Sequence, residues 1–513
     1  MRHETVFVVD FGAQYAQLIA RRVREANVYC QVVPFGKLLE AARAEKPKAL
    51  IFSGGPASVY GDKAPHLDKA VFDLGIPILG ICYGIQFTAW ALGGKVERQD
   101  EREYGQTVID IVEPNELLAD VGERTEVWMS HGDALTGLPP GFRVLAKTKS
   151  CPFAAIGDPK RKIYGVQFHP EVTHTPKGRI LLRNFLYSIA GLSGDWKMAD
   201  FIEEQRRLIK ERVGNDRVIL GLSGGVDSSV AAVLIHEAIG SQLQCIFVNN
   251  ALLRKNESPL VARTFRGHYR IPLEVVDASE RFLKALDGVV DPEQKRKIIG
   301  REFVRVFEEE ARRVQNARFL AQGTLYPDVI ESVSAHGGPT ATIKSHHNVG
   351  GLPKDLGLEL LEPLRDLFKD EVRQIGTELG LPEELVWRQP FPGPGLGVRI
   401  IGPITAERVK LLQDADEIVQ EEIQAAGLYR QLWQAFAVLL PVRSVGVLGD
   451  ERAYGETIAI RAVESADAMT ANWARLPYDV LARMSTRIMN EIRGINRVVY
   501  DISQKPPSTI EWE

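Results

Sequence analysis

Two short strings in this 513-residue chain combine residue types that could do covalent chemistry. The first is Gly80-Ile81-Cys82-Tyr83-Gly84, which follows an apolar run and precedes helical periodicity at Phe87–Ala91. That is the pattern of a nucleophile elbow with cysteine in place of serine. A sharp strand-to-helix turn leaves little room for side chains beside it, which accounts for the flanking glycines. It also aims the side chain at the positive end of the helix, where thiolate, the nucleophilic form, is favoured. Taken alone, the pattern fits a buried structural cysteine equally well.

Gly165-Val166-Gln167-Phe168-His169-Pro170-Glu171 shifts the balance. A strand delivers His169 at its C-terminal end, and Glu171 is close enough to hold the imidazole's other nitrogen. Cysteine, histidine and a carboxylate make a nucleophile, a base and an orienting group. Strand ends of one open α/β sheet are where such sites form. Cys30, Cys151 and Cys245 have no such neighbours and read as core.

The second string is Leu220-Gly221-Leu222-Ser223-Gly224-Gly225-Val226-Asp227-Ser228-Ser229. Successive small residues between a strand and a helix expose backbone N–H groups at a helix N-terminus, an anion site by dipole and by unpaired donors. The loop lacks the lysine of a Walker A motif. On glycine content alone, a tight turn is an equally good reading.

Both strings need frames to hold them. Strand-like runs at Thr5–Asp10, Ala49–Phe52 and Pro77–Ile81 alternate with helical patterns such as Ala16–Arg24, which predicts a parallel α/β sheet. Strands at Val127–Met129 and Tyr164–Phe168 and a helix at Arg179–Ile189 close this part, and Gly191–Asp195 reads as a linker. A second α/β alternation follows: helix Asp200–Arg212, strand Arg217–Leu222, helix Ser229–Ile239, strand Gln244–Val248. In the charged helix Pro292–Gln315, the cluster Lys295-Arg296-Lys297 is followed by acidic residues and reads as a solvated face rather than a nucleic-acid patch. Arg388–Gly402 is too rich in Pro and Gly to continue a helix or a central strand. Beyond it, a helix over Thr405–Ala426 and strands at Ser444–Leu448, Thr457–Val463 and Arg497–Ile502 predict an α+β tail. The expected domains are residues 1–195, 196–388 and 389–513.

Composition narrows the class. Hydrophobic residues make up 45% and charged residues 25%, the balance of a soluble globular protein, and 63 Lys+Arg against 67 Asp+Glu leave a net charge of −4. Near-neutrality argues against a chain built around nucleic acid. Apolar runs such as Ile76–Cys82 and Ala435–Val442 fall far short of the roughly 20 residues that span a bilayer. The start of the chain shows no basic segment followed by an apolar core, and four scattered cysteines make neither a disulfide framework nor a zinc site. The expectation is a multidomain cytoplasmic enzyme.

GICYG with GVQFHPE resembles the class I (triad) glutamine amidotransferase domain, over residues 4 to about 195. The resemblance implies a flavodoxin-like fold and hydrolysis of glutamine to glutamate and ammonia through a thioester on Cys82. His169 would protonate the leaving ammonia and then activate water, and backbone N–H groups of Gly55 and Tyr83 would form the oxyanion hole. SGGVDSS resembles the pyrophosphate loop of the ATP pyrophosphatases, a second doubly wound α/β domain, which cleave ATP between the α- and β-phosphates and adenylate a carbonyl oxygen. Ser223, Gly224, Gly225, Val226, Ser228 and Ser229 would form the ATP cradle. Asp227, which would repel bare phosphate, is expected to support Mg²⁺.

An ammonia source joined to a carbonyl-adenylating site has a plain logic: the adenylate turns an oxygen into a leaving group, and ammonia replaces it. In that order the two modules resemble the glutamine-hydrolysing GMP synthase family. Further matches are Gln322–Asp328, Lys344–Pro353, Glu362–Lys369 and the ending Lys505–Glu513. The resemblance implies xanthosine 5′-monophosphate (XMP), ATP and glutamine as substrates. Lys344, His346 and His347 would form a lid with Gly350 and Gly351 as its hinge, and Lys369, Lys505 and Glu511 would face the substrate nucleotide. Adjacent histidines point to different sides of an extended chain, so a metal shared by His346 and His347 is disfavoured. The tail is also expected to form a homodimer, because one helix only partly covers a sheet face carrying Val445, Val447, Ile458, Ile460 and Val498.

One departure is Phe247-Val248-Asn249-Asn250-Ala251, where the family usually shows an Asp and a Gly. The same pyrophosphatase loop also serves NAD synthesis, argininosuccinate synthesis and tRNA thiolation. Thiolation would need a reactive cysteine near the loop and a basic face, and neither is evident. A non-enzymatic regulator would not need the intact Cys82, His169 and Glu171.

Overall fold

The computed structural model describes residues 3–12, 15–56, 58–61, 64–334, 357–448, 451–465, 468 and 470–513. The chain divides into two compact units, Met1–Phe201 and Ile202–Glu513.

The first unit is built on β1 (Thr5–Asp10), α1 (Tyr15–Glu25), β2 (Tyr29–Pro34), α2 (Leu38–Glu45), β3 (Ala49–Phe52), β4 (Ile78–Ile81) and α3 (Tyr83–Ala91). After these come β5 (Lys95–Ile111), β6 (Arg124–Gly137), β7 (Arg143–Lys147), β8 (Ala155–Asp158), β9 (Ile163–Val166) and α4 (Gly178–Arg183). The strands form one nine-stranded sheet in the order β2-β1-β3-β4-β9-β8-β7-β5-β6. From β2 to β9 the pairing is parallel, and beyond β9 it is antiparallel. The runs ALIF in β3 and ILGI in β4 are buried throughout, as strands covered on both faces must be. The β5–β6 hairpin is far longer than the Val127–Met129 strand expected from sequence, because its many polar and charged residues hide the alternation. The closing helix is α4 continued by a π-helical turn at Asn184–Ile189.

The second unit opens near α5 (Met198–Val213) and runs through β10 (Arg217–Gly221), α6 (Val226–Ile239), β11 (Leu243–Asn249), α7 (Glu257–Ala262), β12 (Leu273–Asp277), α8 (Ser279–Ala285), α9 (Pro292–Ala311) and β13 (Ala317–Ala321). It continues with α10 (Tyr326–Ser334), β14 (Glu359–Leu361), α11 (Lys369–Glu378), α12 (Glu383–Val386) and α13 (Ala406–Ala425). The chain ends in β15 (Gln434–Leu448), β16 (Glu451–Glu464), β17 (Asn472–Trp473), α14 (Tyr478–Glu491) and β18 (Ile495–Tyr500). One parallel sheet has the order β12-β11-β10-β13-β14, and a four-stranded mixed sheet joins β15 to β18. Both lean on one continuous core, in which Ile246 and Val248 of β11 share neighbours with Leu412 of α13, Ile460 of β16 and Met484 of α14.

The Pro/Gly-dense segment lies inside this core: Leu396, Val398 and Ile400 are fully buried. Gly395 (φ +63°) is required there, since a Cβ would lie 2.2 Å from the Leu252 carbonyl oxygen.

Three sequence expectations change. Helix α14 was not foreseen, although Val480, Met484 and Ile488 recur every fourth residue and are its buried stripe. Two helices, α13 and α14, therefore cover the tail sheet rather than one, burying Ile458 and Ile460 but leaving Val445 and Val447 exposed beyond a bulge between Leu440 and Ser444. Lys295 is not on a solvated face. It is fully buried and donates to the Ile400 carbonyl and the Glu513 carboxylate, while Lys297 two residues on is 73% exposed.

Candidate active sites

Strands β4 and β9 are parallel neighbours, paired through Ile81↔Val166 at their C-terminal ends. The next residue of one is Cys82, and three residues past the other comes His169. Cys82 has φ +52°, the strained left-handed turn of an elbow. The flanking glycines make that turn possible. A Cβ on Gly80 would lie 2.7 Å from the Gly84 backbone, and one on Gly84 would lie 2.5 Å from the Phe52 carbonyl oxygen. The thiol donates to the Ser130 carbonyl at 3.6 Å and receives the Gln167 side-chain amide at 3.9 Å.

His169 Nδ1 lies 2.7 Å from Glu171 Oε1, and both side chains are buried. Burial alone would lower the imidazole's pKa, but the Glu171 carboxylate and the neighbouring Cys82 outweigh it and raise the value to about 11. The ring therefore carries a proton at neutral pH, as a leaving amine requires of its acid. Its backbone is fixed too: the His169 N–H donates to Trp128, and its carbonyl accepts from the Thr175 hydroxyl. The Glu171 carbonyl accepts from Arg22 at 2.9 Å.

The loop after β3 closes the site. A Cβ on Gly54 would come within 3.2 Å of His169 Cε1 and 3.7 Å of Cys82 Cβ, so the backbone passes directly beside both. Gly55 packs against the Tyr83 ring. Tyr83 opens α3, where N–H groups have no partner inside the helix. The loop is braced by Ser53, whose hydroxyl accepts from the Phe11 N–H and donates to the Gly54 carbonyl. Sequence reading missed Ser53, Ser130, Thr175 and Arg22, because each acts through backbone atoms of distant segments.

In the second unit the strand order turns at β10, with β11 and β12 on one side and β13 and β14 on the other. Ser223–Ser229 runs from β10 into α6 at this switch point, the usual ligand crevice of such sheets. The Ser223 and Ser228 hydroxyls lie 2.9 Å apart, and both Ser228 and Ser229 donate to the Gly225 carbonyl. Gly224 has φ +75°, and its carbonyl accepts from Arg388, which is also ion-paired to Glu257. Lys369 ends up on the loop itself, paired with Asp227 Oδ2. Arg388 and Glu257 carried no local sequence signal.

Lys505 donates to the Ala468 carbonyl at 2.9 Å. Glu511 is held by the fully buried Arg399 through two hydrogen bonds and by Gln434. Lys344, His346 and His347 lie outside the described residues. At the departure from the family pattern, Ala251 adopts φ +67°, the conformation in which glycine is strain-free. Asn249 and Asn250 cap the following N–H groups, and the three residues rim the end of β11.

Residues 7–189 match the family model for class I glutamine amidotransferases, 197–297 that for NAD synthase, and 421–512 that for the GMP synthase C-terminal domain. A glutamine-hydrolysing GMP synthase from Brachyspira hyodysenteriae is 60% identical over 510 residues, 99% of each chain. The chain belongs to the glutamine-hydrolysing GMP synthases. Relatives of the same name from Phenylobacterium zucineum (60% identical over 100% of this chain and 99% of theirs) and Clostridium novyi (56% over 100% of both) agree. This member of the GMP synthases is therefore a ligase, with an amidotransferase fold in the first unit and an adenylating fold in the second. Among the described residues, no helix is long and apolar enough to cross a membrane.

Proposed function

We propose that the two units divide one reaction: glutamine is hydrolysed at Cys82, and the ammonia is consumed in the second unit to turn XMP into GMP. The observation that carries the first half is Cys82 held at φ +52° beside a His169–Glu171 pair. The Cys82 sulfur attacks the glutamine amide carbon, and the C–N bond breaks as His169 gives its proton to the departing nitrogen. The Gly55 and Tyr83 N–H groups face the developing oxyanion. Water then attacks the thioester with His169 taking its proton, and glutamate leaves.

In the second unit, the XMP carbonyl oxygen attacks the α-phosphorus of ATP and pyrophosphate leaves. Ammonia adds to the activated carbon, and AMP leaves with the oxygen. Backbone donors of Ser223, Gly224, Gly225 and Val226, with the hydroxyls of Ser228 and Ser229, hold the β- and γ-phosphates. Asp227 keeps one buried oxygen, Oδ1, without a hydrogen-bond partner, while Oδ2 takes Lys369, which suits a magnesium ligand. Bound Mg²⁺ would neutralise phosphate charge beside that oxygen. Lys369 carries positive charge to the same place. Lys505 and Glu511, on a tail pinned by Arg399 and Ala468, are close to one another in sequence and serve the XMP side; Lys344, His346 and His347 would serve the same substrate.

The working form is a homodimer through the end of the β15–β16 hairpin, where Val445 pairs with Tyr454 and, with Val447, leaves an apolar patch in water. Its site is the cytoplasm, in keeping with four buried cysteines that form no disulfide among the described residues. Mixing the chain with ATP and XMP tests the reading: pyrophosphate should appear, and GMP should follow when glutamine is added. Pyrophosphate released with aspartate or nicotinate adenylation substrates but not with XMP would overturn it.

A further inference from the structure

Glu103 of β5 and His131 of β6 are direct cross-strand partners, and Cys151 reaches the same spot from the turn after β7. Their ligand atoms, a carboxylate oxygen, an imidazole nitrogen and the thiol sulfur, lie within 4.8 Å of one another. His131 is 7% exposed, and both of its ring nitrogens are buried without a hydrogen-bond partner. Glu103 Oε2 meets His131 Nε2 only at a loose 3.4 Å and makes no closer hydrogen bond. Buried polar atoms this poorly satisfied are expensive, so a carboxylate oxygen and an imidazole nitrogen facing each other beside a thiol need an explanation.

We infer that Glu103, His131 and Cys151 form a binding site for a zinc-class divalent metal ion. Thiolate, imidazole and carboxylate are the donor set such an ion prefers, and two negative ligands offset its charge. Tetrahedral bonds of about 2.0–2.3 Å set ligand atoms roughly 3.3–3.8 Å apart, so each atom here need move inward by only about 0.7 Å. An outer shell already orients the carboxylate: Thr148 and Ser150 hydroxyls donate to Glu103 Oε1 at 3.2 and 3.0 Å, leaving Oε2 for the metal. The Cys151 N–H is held by Thr148 Oγ1 at 2.8 Å. Three protein ligands leave a fourth position for water. His131 also follows Ser130, whose carbonyl accepts the Cys82 thiol, so the ion sits one residue from the nucleophile's own contact.

The test uses the full-length Cys82→Ala chain, because Cys82, His169 and Glu171 could themselves take a metal. Titration with Co²⁺ should give one equivalent bound, with a thiolate-to-cobalt absorption band that Zn²⁺ displaces. Adding Cys151→Ser should abolish the band, and Glu103→Gln should weaken Co²⁺ binding by about tenfold or more. If Cys151→Ser does not fold, the Glu103→Gln comparison decides alone. No band at one equivalent, a band that survives Cys151→Ser, or unchanged affinity in Glu103→Gln would overturn the assignment.

Discussion

Lys295, buried in the first turns of α9, holds the carboxylate of Glu513, the last residue of the chain, while Arg296 beside it holds the terminal carbonyl oxygen. The tail that carries Lys505 and Glu511 is thus tied to the second unit's core at its very end. Breaking a buried ion pair by removing one partner costs about 3–5 kcal/mol, and a tail can avoid that by coming off. Lys295→Met should therefore raise the KM for XMP about tenfold or more, with glutaminase activity unchanged. An unchanged KM for XMP would show that the anchored tail does not serve the nucleotide.

A second prediction concerns pH. His169 has a folded-state pKa of about 11 against an ordinary 6.5, chiefly because the Glu171 carboxylate and Cys82 overcome its burial. A raised value means that the stabilisation is fully present below about pH 6.5 and is lost progressively as pH climbs towards about 11. The loss of unfolding free energy between about pH 6.5 and 10, read by denaturant titration at each pH, should therefore be larger in the unmodified chain than in Glu171→Gln. An equal pH dependence in the two would contradict the pairing.

Much of the candidate site was legible because it is local. A sharp strand-to-helix turn declares itself in Gly80, Cys82 and Gly84, a glycine-rich loop in Ser223–Ser229, and Glu171 is only two residues from His169. What tertiary folding alone creates was not legible. Lys369 meets Asp227 across 142 residues and Lys295 meets Glu513 across 218, so local charge patterning misread Lys295 as solvated. Helix α14 was a different failure, since its Val480, Met484 and Ile488 period was in plain view. Glu103, His131 and Cys151 come from the middle of β5, the middle of β6 and the turn after β7, and no spacing rule unites them.

The loop chemistry gives a third prediction. Asp227→Asn or Lys369→Met should lower pyrophosphate release by about 10²-fold or more with either glutamine or ammonium as nitrogen donor, since one cradle serves both. Glutaminase activity should persist. A variant that loses only the glutamine-driven reaction would remove these residues from the ATP site.

Ala251 offers a stability test. A non-glycine residue at φ +67° is strained by about 1–2 kcal/mol, part of which glycine returns as unfolded-chain entropy. Ala251→Gly should stabilise the second unit by about 0.5–1 kcal/mol, read as a higher denaturation midpoint with an unchanged slope. A lower midpoint would mean that the alanine methyl packs too well to lose.

The hairpin patch predicts assembly. Val447 is 76% exposed beside Val445 and Tyr454, so Val445→Asp with Val447→Asp should convert a dimer to monomers in sedimentation at micromolar concentration. A dimer unaffected by both changes would move the interface elsewhere.

The division of labour between the units has its most direct test in one variant, Cys82→Ala, assayed for GMP with glutamine and then with ammonium chloride. Glutamine-driven synthesis should fall by about 10³-fold or more, because the nucleophile is gone. Ammonium-driven synthesis should stay within about twofold of the unmodified chain, since the adenylating site neither contains nor needs the cysteine. Loss of both activities in a well-folded variant, or glutamine-driven synthesis that survives, would contradict the account.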